Sequence, residues 1–163
     1  MPDGLYERDA LAWAEQQAAL LHRLASGESV NEAVDWPNVI EEVQDVGLSE
    51  LRACRSLLHQ ALVRLLKLHA WPRSPAAAHW RDEVMMFLAD AEDRFTPSMR
   101  QRIDLDELYA KALHLARAAT DATGEPRLLA EACPFTLNEL LAGRPDVAAL
   151  VTKLGSAGKA GPG

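Results

Sequence analysis

The chain has 163 residues, 48% of them hydrophobic and 25% charged, with a formal net charge of −7. That length suits one domain with a real core, and the acidity speaks against a general nucleic-acid binder, which presents a basic footprint. No apolar run approaches the roughly 18–20 residues that cross a bilayer, and the start, Met1-Pro2-Asp3-Gly4-Leu5-Tyr6-Glu7, lacks the regions of a signal peptide. The two cysteines, Cys54 and Cys133, make no disulfide framework, so a reducing cytoplasm is the expected home.

A first helix is expected after Asp9 as N-cap, burying Leu11, Ala14, Ala18, Leu21 and Ala25 and stopping before Gly27. Residues 28–34 read as a linker or short turn. The strongest signal follows, between Asp35-Trp36-Pro37 and Trp71-Pro72. Ile40, Val43, Gly47, Leu51, Cys54, Leu58, Ala61, Leu65 and Leu68 recur at three- and four-residue steps, which puts them on one face of a single helix. Asp35 is its N-cap, Pro37 sits in the first turn where a missing donor costs nothing, and Pro72 ends it. At about 1.5 Å per residue this spine spans roughly 50 Å. Gly47 in its interior predicts either a close helix approach or a kink.

Beyond the stiff Trp71-Pro72-Arg73-Ser74-Pro75 connector, Ser74 is expected to cap a helix that buries Ala77, Trp80, Val84, Phe87 or Leu88, Ala91 and Phe95. Thr96-Pro97 opens a short helix to about Arg102. Asp104 with Glu107 reads as a capping box, before a helix that buries Leu108, Ala112, Leu115 or Ala116 and Ala119 and stops at Gly124. Thr136 with Glu139 reads as a second box, opening a short helix through Leu141. Pro145 starts a last helix ending near Leu154, and residues 155–163, without an apolar anchor, are expected to be a mobile glycine-rich tail. Strand patterns are missing. The expected fold is therefore all-α: a single domain over residues 1–154, a bundle of about five to seven helices organised around one long central helix.

Charge is uneven along the chain. Residues 1–50 hold 11 acidic and 2 basic side chains, residues 51–102 hold 5 and 9, and residues 103–163 hold 8 and 6. Part of this follows from the helix dipole, which favours Glu41, Glu42 and Asp45 near the start of the spine and Arg64 and Lys67 near its end.

Three constellations carry any chemistry the sequence offers. The acidic group Glu41, Glu42 and Asp45 has the spacing to share a cation, although an exposed acidic first turn is the commoner meaning of such a run. No Glu-x-x-His or His-x-x-x-His pair puts two metal ligands on one helix face, so neither metal nor cofactor is expected. The connector cluster of Lys67, His69, Trp71, Arg73, His79, Trp80 and Arg81 could receive an anion, and Lys67, Arg73, Trp80 and Arg81 are its candidate contacts. Each also has a structural job available there. Off-stripe apolar residues on the spine (Val39, Val46, Leu57, Leu62, Leu66) need covering by other helices or by a second subunit, as in a homodimer. No serine elbow, phosphate loop or zinc spacing is present, so no catalytic residue is assigned and an enzyme is not the expectation.

Several short strings, in order, resemble a known family. They are Leu5-Tyr6-Glu7-Arg8-Asp9 with Trp13 and Gln17, Asp35, Asn38-Val39-Ile40-Glu41-Glu42-Val43, Asp45-Val46-Gly47-Leu48-Ser49-Glu50, Leu65-Leu66-Lys67, Trp80-Arg81, Thr96-Pro97-Ser98, Tyr109 and Cys133-Pro134-Phe135-Thr136. Over about residues 5–142 the chain resembles the bacterial domain-of-unknown-function family numbered 29, common in cyanobacteria and proteobacteria. The resemblance implies an all-α domain and no established activity. The family tends to carry a histidine before Leu-Leu-Lys and an aromatic after it. Arg64 and Leu68 stand there in this chain, so no role resting on that histidine is carried over.

Residues and resemblance together lead to the expectation of a cytoplasmic, non-catalytic regulatory or adaptor domain acting through protein contacts. The alternative is an accessory factor binding an anionic ligand or nucleic acid at the connector cluster.

Overall fold

The computed structural model describes residues 4–159. These form seven α-helices and two 3-10 turns, and the described residues contain no strand. The helices are α1 (Leu5–Arg8), α2 (Ala10–Ala25), α3 (Trp36–Ala70), α4 (Ala77–Arg94), α5 (Leu105–Ala118), α6 (Leu137–Leu140) and α7 (Val147–Lys159). The fold is all-α around one long helix, as the hydrophobic spacing requires. Contacts divide the chain into two compact units, with the boundary between Ser49 and Glu50.

The first unit is built around a carboxylate. Asp9 caps α2, its side chain accepting from the Ala12 N–H at 3.0 Å. Asp35 caps α3 by accepting from the Asn38 N–H, and its Oδ2 also accepts from Trp13 Nε1 at 3.0 Å and Asn38 Nδ2 at 2.7 Å. Its own backbone N–H donates to Gln17 Oε1 at 2.8 Å. Trp13 and Gln17 are thereby the buried residues of α2. This corrects the expected face: Leu11 is 71% exposed, and Ala14, Ala18 and Ala25 are exposed as well. Small alanines gain little by burial, whereas an indole and an amide that satisfy a helix start gain both area and hydrogen bonds.

The spine is unbroken from Trp36 to Ala70, but its apolar face has two fates. Leu51, Cys54, Leu58, Ala61, Leu65 and Leu68 are buried. Ile40 is 53% exposed, Val43 71% and Val46 70%. Gly47 is not a point of close approach, because no atom lies within 4 Å of the place a Cβ would occupy.

In the second unit α4 buries Ala77, Val84, Leu88 and Ala91, so Leu88 rather than Phe87 is the core residue. Ser74 does not cap α4 directly. Its hydroxyl donates to Asp121 Oδ2 at 2.6 Å and accepts from the Ala76 N–H at 3.1 Å, and the helix proper starts at Ala77. Helix α5 begins at its Asp104 cap but ends at Ala118, well before Gly124, and Ala116, not the exposed Leu115, completes its stripe. The chain then runs as irregular backbone held by tertiary bonds. Trp71 Nε1 donates to Gly124 O at 2.8 Å, Arg127 N–H to Ala70 O at 3.0 Å, and the buried Tyr109 hydroxyl to Ala130 O at 2.7 Å. Thr136 and Glu139 form the complete capping box of α6.

The last helix is longer than expected. Asp146, accepting from the Ala149 N–H at 3.1 Å, caps α7, which continues through Gly155 and Gly158 to Lys159. Gly155 is helical and packs against His69: a Cβ there would stand 3.4 Å from the imidazole Cε1. Residues 155–159 are therefore helix and not tail, while 160–163 lie outside the described residues.

Candidate functional site

At the connector, Lys67 Nζ stands 5.7 Å from the ring centre of half-buried Trp80, a cation–π contact. Beside it Glu83 pairs with Arg64, and with His79 Nε2 at 3.3 Å. The Arg64 hydrogen bond, helped by the nearby positive charges, holds the Glu83 carboxyl below its ordinary range. The middle of this cluster is thus charge-compensated within the chain. Arg73 and Arg81 are exposed and make no ion pair among the described residues. The structure joins Lys67 to Trp80 and leaves the two arginines apart from that contact.

Of the acidic group, Glu42 is the member that is tied down. Tyr6 donates to Glu42 Oε1 at 2.6 Å, and that bond, with the charges of Glu42, Glu41 and Asp45, pushes the phenol up to about 12. Tyr6 also meets Trp13 edge to face, ring centres 4.8 Å apart. Tyr6, Trp13, Gln17, Glu32 and Asp35 line a cavity of about 320 Å³. Its inner polar groups are already spent: Asp35 accepts from Trp13 and Asn38, and Gln17 accepts from the Asp35 backbone. Among the described residues, no three His, Cys, Asp or Glu side chains gather where they could hold a metal ion.

The exposed outer surface of this unit is different. Ile40, Val43 and Val46 lie within about 120° of the helix circumference at 100° per residue, next to Glu41, Glu42 and Asp45. An apolar strip bordered by acids is the product.

Sequence reasoning missed one group in the second unit. Arg52, Arg55 and His59 share a groove with Lys111 and His114. The three- and four-residue steps of Arg52, Arg55 and His59 along α3 were the available signal, and the contribution of α5 was not readable without the fold. The thiols offer no second centre. Cys54 is fully buried with Sγ 3.5 Å from Ala91 O, and burial pushes both Cys54 and Cys133 up, away from the reactive thiolate.

These features define an all-α protein with surface grooves. The family model for a domain of unknown function, DUF29, matches residues 5–144, and the chain belongs to that family. The fold is similar to the crystal structure of an α-helical protein of unknown function from Rhodospirillum rubrum. The TM-score is 0.70 at 32% identity, over 91% of this chain and 96% of the other. No curated protein matches the chain. No described helix is long and apolar enough to cross a membrane.

Proposed function

We propose that the chain is a non-catalytic α-helical domain of regulatory or adaptor type, acting in the cytoplasm through contacts with another protein. One observation carries the reading: the strip Ile40, Val43 and Val46 on α3 is uncovered. Burying an aliphatic side chain of this size contributes about 1.5–3 kcal/mol, so three adjacent exposed ones favour a partner. Residues 1–50 hold 11 acidic and 2 basic side chains, which repels a second copy of the same face and favours a basic amphipathic segment. The alternative, anion binding at the connector, has less support, because Lys67 is engaged over Trp80 and Arg73 and Arg81 stand apart from that contact.

The test is co-precipitation from the source cell with the wild type, Val43→Ser/Val46→Ser, and a control at another exposed apolar residue, Met86→Ser. A protein with a basic amphipathic segment should be retained by wild type and control. The strip variant should deplete it by about tenfold, the effect of losing two buried contacts. The same proteins captured in equal amount by the strip variant would overturn the reading.

A further inference from the structure

The geometry points to a binding groove between α3 and α5, distinct from the strip, for a small amphipathic anion: a phosphate monoester or carboxylate on a short apolar body. Two adjoining cavities form it. One, of about 280 Å³, is lined by Arg52, Arg55, Ser56, His59 and Lys111. The other, of about 560 Å³, shares His59 and Lys111 and continues over Glu107, Ala110, His114 and the half-exposed Leu115.

The first cavity is electrostatically incomplete. Glu107 bonds Lys111 at 2.7 Å and lies 3.6 Å from Arg55, so one carboxylate serves two cations. Arg52 has no ion pair among the described residues. Three cations against one acid leave a local excess of positive charge in a chain of net charge −7. Arg55 Nε and His59 Nε2 are shielded from solvent with no hydrogen-bond partner. Such orphaned groups cost about 1–3 kcal/mol each; an anionic oxygen meets the exposed Arg52 and the outer part of the Arg55 guanidinium, and a small turn of Arg55 would bring its Nε to the same acceptor. Burial, reinforced by Lys111, holds His59 below its ordinary value, so its ring enters the site neutral and as a wall. The second cavity presents mainly carbon, from Ala110, Leu115 and the stem of Lys111. A charged head in the first and an apolar tail in the second satisfy both.

Octyl phosphate, inorganic phosphate and octanol, titrated into the full chain by calorimetry with the His59 ring signals followed by NMR, test this. Octyl phosphate should bind about tenfold more tightly than either half-ligand, and should shift His59 saturably. Arg52→Ala/Lys111→Ala should weaken it by about tenfold or more. Leu115→Asp, at an exposed position, should weaken octyl phosphate while leaving inorganic phosphate unchanged. Arg52→Gln, at an exposed and unpaired position, keeps the test readable should the double variant melt early. Equal affinity of octyl phosphate and phosphate, an unmoved His59, or full binding by the Arg52 variants would overturn the proposal. So would sedimentation with phosphatidic acid vesicles without binding of free octyl phosphate, which would make the groove a membrane contact.

Discussion

The two ends of α3 are written in the same code and live differently. From Leu51 onward the apolar face is enclosed, with Leu58 and Leu65 fully buried. From Ile40 to Gly47 the same spacing faces outward, and even the bare glycine has open space before it. Periodicity reports which side of a helix is apolar. It does not report whether anything covers that side, since covering depends on residues far away in sequence. The uncovered apolar side is the surface that the proposed partner contact would use.

The sharpest way to break the comparison is to truncate one residue in each half. Leu58→Ala should cost about 2–5 kcal/mol, as for a cavity in a close-packed core, whereas Val43→Ala should stay within about 0.5 kcal/mol. Equal losses in urea unfolding would mean that the first half of α3 is packed after all. A smaller effect of opposite sign is expected at Gly47, where open space and a helical backbone make alanine cheap. Gly47→Ala should stabilise by about 0.5–1 kcal/mol, read as a higher melting temperature.

The smallest effect concerns acid. Glu83 is held below its ordinary 4.5 chiefly by the Arg64 hydrogen bond. A carboxyl depressed in the folded state contributes stability that is fully present above its unfolded value and is lost as pH falls through the folded one. Glu83→Gln should therefore be less stable than wild type by no more than about 0.5 kcal/mol at neutral pH. The gap should begin to narrow as pH falls below about 4.5, the unfolded value, and should close only as pH passes through the depressed folded-state value. Parallel pH profiles for the two proteins would assign the acid sensitivity elsewhere, for example to Asp35, Asp121 or Glu139, whose carboxyls are also depressed.

Much of the fold was legible because its punctuation is local. Asp35, Pro37 and Pro72 delimit α3, and Thr136 with Glu139 closes a capping box within four residues. The face of α2 was not legible: counting apolar residues selects alanines, while the burial of Trp13 and Gln17 depends on Asp35, 22 and 18 residues further on. The end of α7 was missed for a related reason. Glycine reads as a helix breaker until His69, from the far end of α3, is seen against Gly155. For the candidate sites, Glu41, Glu42 and Asp45 could be grouped by spacing alone. The convergence of Arg52 and Arg55 with Lys111 could not, because it joins two helices separated by all of α4.

The irregular stretch after α5 carries one more consequence. The last carbonyls of a helix need partners, and the final carbonyl of α3, on Ala70, receives its donor from Arg127, with His69 and Leu128 joined at 3.1 Å alongside. Surface connections usually absorb extra residues with little harm. This one works as a buckle, so lengthening it should loosen the terminus of α3, however irregular the segment itself is.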